Sequence, residues 1–236
     1  MKIYWRTIFK HCSREQDHFP FGIRFYDSVQ GGGKSLSMTF DAIQLKKEFP
    51  DMKLISNLII KDFPDQENFD TVDELISLLE QSQYNKHTLV IIDEALTYFA
   101  ENGGIDPALM NKITQNRKCR RFIMLATQKF KRINNRLRDF SLETVFCRHF
   151  LNLQINIVRD DTKLHWDKDE MDFIGARKYI YIFKRNDEIF SRYDTFASVK
   201  IQKGISTTSL LPAASPPPAS REWGDMLNNI LKERKR

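Results

Sequence analysis

Three cysteines, Cys12, Cys119 and Cys147, are all that this chain of 236 residues contains, too few and too scattered for a disulfide framework or a cysteine-bound metal cluster. They read as reduced thiols in a cytosolic setting. No apolar run approaches the ~18 residues that a membrane-spanning helix requires. The opening MKIYWRTIFKHCSREQ has basic residues but no continuous apolar core, so it is not read as a signal peptide, and the chain is expected to be soluble. Histidine is sparse as well. His149 and His165 have no partners at metal-ligand spacing, and His11 and His18 fall in a polar loop. No internal repeat is visible.

What is present is a chain with 41% apolar residues, enough to bury a proper core, and it reads as one domain with appendages. The formal charge of +6 and the pI near 9.1 point to a polyanionic partner. The most informative stretch is Phe21 to Thr39, FGIRFYDSVQGGGKSLSMT. Ile23, Phe25 and Val29 alternate as in a strand; Gly31, Gly32 and Gly33 follow, then Lys34 and Ser35; Leu36, Met38, Ala42 and Ile43 begin a helix. Backbone N–H groups converging at a helix N-terminus hold a triphosphate, and glycine lets the chain pass close enough to supply them. In such an arrangement residues 31–36 wrap the phosphates of ATP, Lys34 reaches the β- and γ-phosphates and the Ser35 hydroxyl ligates Mg²⁺. The usual pattern is G-x-x-x-x-G-K-[ST], and its first glycine is Ser28 here, so the opening turn is expected to be made by a residue with a Cβ. An ordinary glycine-rich turn has the same appearance. A second element has to decide.

That element is HTLVIIDEA, residues 87–95. Leu89 to Ile92 are four consecutive apolar residues, the mark of a strand buried on both faces in a parallel sheet. Asp93 and Glu94 then fall at its carboxyl end, where open α/β sheets bind ligands. There Asp93 can hold Mg²⁺, and Glu94 can orient and polarise an attacking water. The plainer reading is a strand whose acidic end favours the dipole of a following helix.

Around these two segments, helices are expected over 36–48, over 71–82 with a Thr71/Glu74 capping box, and over 106–117 with Asp106 as N-cap and Pro107 at the first position. Strands are expected over 53–60 and 122–128, and β-type stretches over 144–158 and 178–184 extend the sheet or form a small β elaboration. The acidic DKDEMDF between the last two reads as a solvated loop or helix cap. Thr127-Gln128 ends the strand beside the acidic one, placed to touch the γ-phosphate or its water; the plainer reading is a strand that simply reaches solvent there. From Lys112 to Arg138 there are ten basic residues and no acidic one, a bias that phosphates of a nucleotide or a nucleic acid explain. Arg117 precedes the strand, whereas Lys129, Lys131, Arg132, Arg136 and Arg138 follow it. From about residue 204, GISTTSLLPAASPPPAS has the composition of an extended linker. Beyond it, Trp223, Met226, Leu227, Ile230 and Leu231 line one stripe of a short helix, which docks on a neighbour or partner or packs back on its own domain. The expected division is a domain over 1–203, a linker over 204–220 and a helix over 221–236.

Taken together, GGGKS (31–35), LVIIDEA (89–95) and RKCRRFIMLATQ (117–128) resemble the FtsK/HerA superfamily of ring-forming P-loop ATPases, over roughly residues 20–150. The resemblance implies an α/β P-loop NTPase fold of RecA/ASCE type, with a mostly parallel central sheet flanked by helices. It also implies roles: Lys34, Ser35, Asp93 and Glu94 match the Walker residues, and Gln128 matches the sensor glutamine. Arg117, nine residues before Ala126, matches the arginine finger that acts in trans. The small size, Ser56-Asn57-Leu58 and the basic segment after Gln128 are similar to two virus-associated branches. One comprises the zonula occludens toxin-like proteins of filamentous phage assembly, the other the genome-packaging ATPases of membrane-containing icosahedral viruses. The former commonly carry a transmembrane segment, and none is visible in this sequence, which favours packaging.

The expected protein is therefore a Mg²⁺-dependent, ATP-hydrolysing translocase, a subunit of a homo-oligomeric ring such as a hexamer. It moves DNA without reading its sequence, in the host cytoplasm or at the virion. The alternative is a zonula occludens toxin-like ATPase that assembles or exports virion proteins at a membrane pore, with the C-terminal helix as adaptor to a virion, portal or membrane protein. A nucleotide-gated binding module without turnover is a third class.

Overall fold

The computed structural model describes residues 19–82, 87–99, 104–167 and 172–194. The expected linker and C-terminal helix lie outside these residues. In chain order the elements are β1 (Gly22–Asp27), α1 (Lys34–Glu48), β2 (Lys53–Ser56), β3 (Ile59–Ile60), β4 (Glu67–Asn68), α2 (Val72–Gln81), β5 (Thr88–Ile92), α3 (Leu96–Phe99), α4 (Pro107–Thr114), β6 (Arg121–Thr127), a 3₁₀ turn at Phe130–Arg132, α5 (Asn135–Arg138), β7 (Ser141–Phe150), β8 (Leu153–Asp167), β9 (Asp172–Lys184), α6 (Asp187–Phe190) and β10 (Tyr193–Asp194).

Segments apolar at nearly every position bury both faces only in the middle of a parallel sheet. β5 and β6 are buried at every residue and β1 at its central four. They form the middle of an eight-stranded sheet of order β4-β2-β5-β6-β1-β7-β8-β9. The six strands from β4 to β7 run parallel, and β8 and β9 are antiparallel additions. On one face α1 lays Leu36, Met38, Ala42 and Leu45 against Tyr26, Ile91, Met124, Val145 and Tyr181. On the other, α2 and α4 contribute Leu75, Leu79, Leu109 and Ile113 to a core with Phe25, Val90 and Leu125. All six parallel strands deliver their carboxyl ends to one edge.

Both caps expected from the sequence form. Thr71 Oγ1 accepts from the Glu74 N–H at 3.2 Å while the Glu74 carboxylate returns the bond to Thr71 N–H, and Asp106 accepts from the Ala108 and Leu109 N–H groups. Four expectations need correction. DKDEMDF is not a loop or helix cap at its ends, since Asp167 closes β8 and Asp172 and Phe173 open β9. Residues 53–60 are not one strand: Ser56 Oγ bonds both the N–H and the carbonyl of Leu58, turning the chain at Asn57 and sending β3 to pair with β10 in a second sheet. Residues 144–158 are two strands, folded at Leu151-Asn152 between the paired Phe150 and Leu153. The helix expected over 106–117 ends at Thr114, and the chain turns through Asn116–Arg121.

Beneath the edge, a buried polar cluster braces β1 against α1, β7 and β9. Arg24 Nε donates to Glu143 Oε2 at 2.8 Å, Lys178 pairs with the same carboxylate, and Arg24 lies 3.6 Å from Asp41. The Tyr26 and Tyr181 hydroxyls donate to Asp41 Oδ2 at 2.6 and 2.7 Å. Burial pushes the Asp41 carboxyl up to about 6, against the pull of Arg24 and the two hydroxyls. A carboxyl whose folded pKa is raised adds stability below its unfolded pKa and loses it as pH rises through the folded one. Urea unfolding is expected to show the native protein losing stability relative to Asp41→Asn between pH 4 and 7, and Glu143→Ala is expected to cost about 3–5 kcal/mol by leaving the Arg24 charge buried.

Candidate nucleotide site

At the carboxyl edge, β1 runs into a loop of six residues, Ser28 to Gly33, before α1 begins. Gly32 N–H donates to Val29 O at 3.1 Å, closing a turn, and Gly31 and Gly33 adopt left-handed φ of 77° and 89°. Ser28 is not among the residues with positive φ, so the Cβ it carries in place of the usual glycine meets no backbone obstacle. Gly33 caps α1 without a side-chain bond, and the first turn has no acidic residue. The unpaired N–H groups of that turn and the positive end of the helix dipole are thus left to an anion. Lys34 Nζ arches over the loop to Ser28 O (3.0 Å) and Val29 O (3.1 Å). Leu36 has its side chain in the core, 1% exposed, so only its backbone N–H is available to a ligand.

The acidic strand tip meets this loop. Ser35 Oγ donates to Asp93 Oδ2 at 2.6 Å, although β6 lies between β1 and β5. Asp93 Oδ1 accepts from the Glu94 N–H at 3.0 Å. Glu94 is exposed and held at φ 54°, a conformation that non-glycine residues seldom adopt and that clusters at functional sites. Gln128 is exposed at the tip of β6 between the two. Lys34, Ser35, Asp93, Glu94 and Gln128 are therefore gathered at one edge.

Arg117 is not. It precedes β6, and its guanidinium lies over the Phe21 ring, 5.9 Å from the centroid, at the amino end of β1. The seven residues of β6 separate it from that edge by roughly 20 Å. The basic bias of 112–138 also divides into different jobs. Arg121 is buried and donates to Ser82 Oγ (2.9 Å), Lys112 O (3.0 Å) and Leu79 O, and Lys112 pairs with Glu80 at 3.0 Å, so these two tie α2 to α4. After Gln128 the chain is anchored through Phe130, Ile133 and Leu137, which leaves Lys129, Arg132 and Arg136 exposed near the site edge.

Two sets of residues escaped the sequence reading of the site. Asn57 Nδ2 donates to Asp93 O at 2.9 Å and Asn57 Oδ1 accepts from Asp93 N–H at 2.7 Å, so one side-chain amide clamps the backbone of the candidate metal ligand. Gln154 and Asn156 on β8 are fully buried against the glycine loop and α1. Their signal was the alternation LQINIV, but its orientation is the reverse of a surface strand, with the amides inward and Ile155 and Ile157 on the outer face. Cys147 has no nucleophilic part here, since burial pushes its thiol up to about 12.

A parallel sheet in which β6 separates the strand entering a glycine-lysine-serine loop from the strand ending in Asp93-Glu94 is the RecA-like fold of the P-loop NTPases. The sequence profile of the zonular occludens toxin (Zot) family matches residues 36–198, and the chain belongs to that family. The N-terminal domain of zonular occludens toxin from Neisseria meningitidis shares the fold with a TM-score of 0.54 at 16% identity, covering 73% of this chain and 98% of that one. The genome packaging NTPase of Sulfolobus turreted icosahedral virus 2, in complex with ATPγS, is similar at a TM-score of 0.47 and 14% identity, covering 66% and 96%. No curated protein matches the chain significantly. Among the described residues no helix is long and apolar enough to cross a membrane. Asn57→Leu is expected to leave the Asp93 backbone groups without their partners and to lower unfolding free energy by about 1–3 kcal/mol in a denaturant titration.

Proposed function

We propose that this Zot-family protein is an ATP-hydrolysing motor that moves DNA through a homo-oligomeric ring. The observation that carries the reading is the 2.6 Å bond from Ser35 Oγ to Asp93 Oδ2, beside a glycine loop that opens α1. A hydroxyl and a carboxylate are hard oxygen donors, the set that suits Mg²⁺ alongside substrate phosphates. Ser35 and Asp93 would hold that ion, which would supply positive charge to offset that of the phosphates.

The chain's own groups do the rest. Within residues 31–36 the N–H groups other than that of Gly32, which Val29 O holds, bind the phosphates, and Lys34 turns from the loop carbonyls to the γ-phosphate. Glu94, exposed beside Asp93, orients and polarises the attacking water, and Gln128 contacts the γ-phosphate or that water. Arg117 stands too far from its own loop to act there, so it serves the site of a neighbouring subunit as an arginine finger. Lys129, Arg132 and Arg136 contact DNA phosphates, a contact that reads no sequence and weakens with salt.

Turnover of ATP is expected to fall more than about 100-fold in Lys34→Ala and in Arg117→Ala. Mixing the two inactive variants is expected to restore part of it, since each supplies across one interface what the other lacks. Mixtures as inactive as their parents sink the trans assignment. In the same assay DNA at low salt is expected to stimulate the native protein and high salt to abolish the effect. Turnover indifferent to DNA points instead to the handling of virion proteins.

A further inference from the structure

The glycine loop is gripped from outside by one side chain. We propose that Gln154 is a positioning residue for triphosphate binding, which fixes the Gly32–Gly33 peptide so that the Gly33 N–H faces the phosphates. This rests on reading residues 28–36 as the triphosphate site.

Gln154 lies on β8, far from the loop in sequence, and is 0% exposed. Its Nε2 donates to Gly32 O at 3.0 Å and to Asn156 Oδ1 at 3.2 Å. Both neighbours of that nitrogen are acceptors, which sets the orientation of the amide, because the flipped form would press its oxygen against two other oxygens. Asn156 in turn bonds Ser37 Oγ of α1 at 3.0 Å, so the grip has a fixed backing.

In a trans peptide the carbonyl and the next N–H point in opposite directions. Holding Gly32 O toward β8 therefore turns the Gly33 N–H away from β8, into the concave side of the loop. The preceding peptide is pinned separately, through Gly32 N–H to Val29 O. The Gly32–Gly33 peptide lies between two glycines, whose backbone torsions are the least restricted of any residue, and it is the unit most free to rotate without an anchor. Gly33 is required twice over: its φ is 89°, and a Cβ there would stand 2.2 Å from Gln154 Oε1.

The remaining feature is the cost. Gln154 Oε1 is buried with no hydrogen-bond partner among the described residues, a desolvation cost that its amide nitrogen must offset. A side chain retained for stability alone would be better replaced by an apolar one of the same length. The unpaired oxygen marks a group kept for what its nitrogen holds.

The test is equilibrium binding of a fluorescent ATP analogue with Mg²⁺, with steady-state ATPase assays and thermal melts without nucleotide. Gln154→Met keeps the length and loses the donor. It is expected to bind about tenfold more weakly, the worth of one hydrogen bond to the loop. KM is expected to rise by the same factor with kcat within about twofold, as for an interaction equal in ground and transition states. The melting midpoint without nucleotide is expected to stay near native. If Gln154→Met does not fold, Gln154→Asn, whose amide falls one methylene short, is to show the same loss. Lys34→Ala separates the two levels of the argument. Native affinity in Gln154→Met with none in Lys34→Ala overturns the positioning role alone, native affinity in Lys34→Ala overturns the site beneath it, and a fall in kcat without a rise in KM overturns the assignment to triphosphate binding.

Discussion

A hydroxyl at the first turn of α1 and a carboxylate at the end of β5 meet across an intervening strand, and the arrangement of the domain follows from keeping them together. Ser35 and Asp93 belong to elements that are not neighbours in the sheet; β6 separates their strands. Their contact requires β1, β5 and β6 to run parallel and end at the same level, which demands crossover helices on both faces and a sheet buried on both sides. The site is thus a product of the core. Asp93 is over-determined: Asn57 clamps its backbone, Ser35 and the Glu94 N–H occupy its two oxygens, and the left-handed turn at Glu94 carries the chain away from the strand. A ligand position fixed from several sides is what electrostatic preorganisation asks of a protein.

Much of this was legible in the sequence because the signals were local. Leu89 to Ile92 could be read as a doubly buried strand, Thr71 and Glu74 as a reciprocal cap, and Gly31 to Ser35 as a loop opening a helix, since each depends on residues close in the chain. What stayed hidden depended on partners far away. KLISNLII has the composition of one strand; it breaks at Asn57 because Ser56 Oγ turns the chain onto Leu58 and the Asn57 amide is held by the distant Asp93. Arg121 sits among basic residues with nothing local to distinguish it, yet it is buried as a clasp between α2 and α4. The fold at Leu151-Asn152 gave no warning either, because Leu151 adopts φ 50°, where turn chemistry favours glycine or asparagine.

β8 shows the limit most clearly. Alternation of polar and apolar residues identifies a strand and says nothing of which set faces inward unless hydrophobicity decides it. Here it does not: Gln154 and Asn156 are buried because the glycine loop and α1 present polar groups to that face, while the isoleucines lie on the other. Buried polar groups likewise join Arg24, Asp41, Glu143 and Tyr181 below. The flank of the sheet around β1, β7, β8 and β9 is thus held by hydrogen bonds and charge as much as by apolar packing, and these depend on register more sharply than hydrophobic contacts do.

That dependence gives the tight turn between β7 and β8 a weight out of proportion to its two residues. Strand side chains repeat with a period of two, so the length of this connection sets parity for β8 from Leu153 to Val158, beyond which its pairing with β9 shifts register. Adding or removing one residue turns Ile155 toward the glycines and expels the amide, whereas a change of two restores the pattern. The hairpin therefore accepts added residues in even steps, and an odd step calls for a compensating bulge.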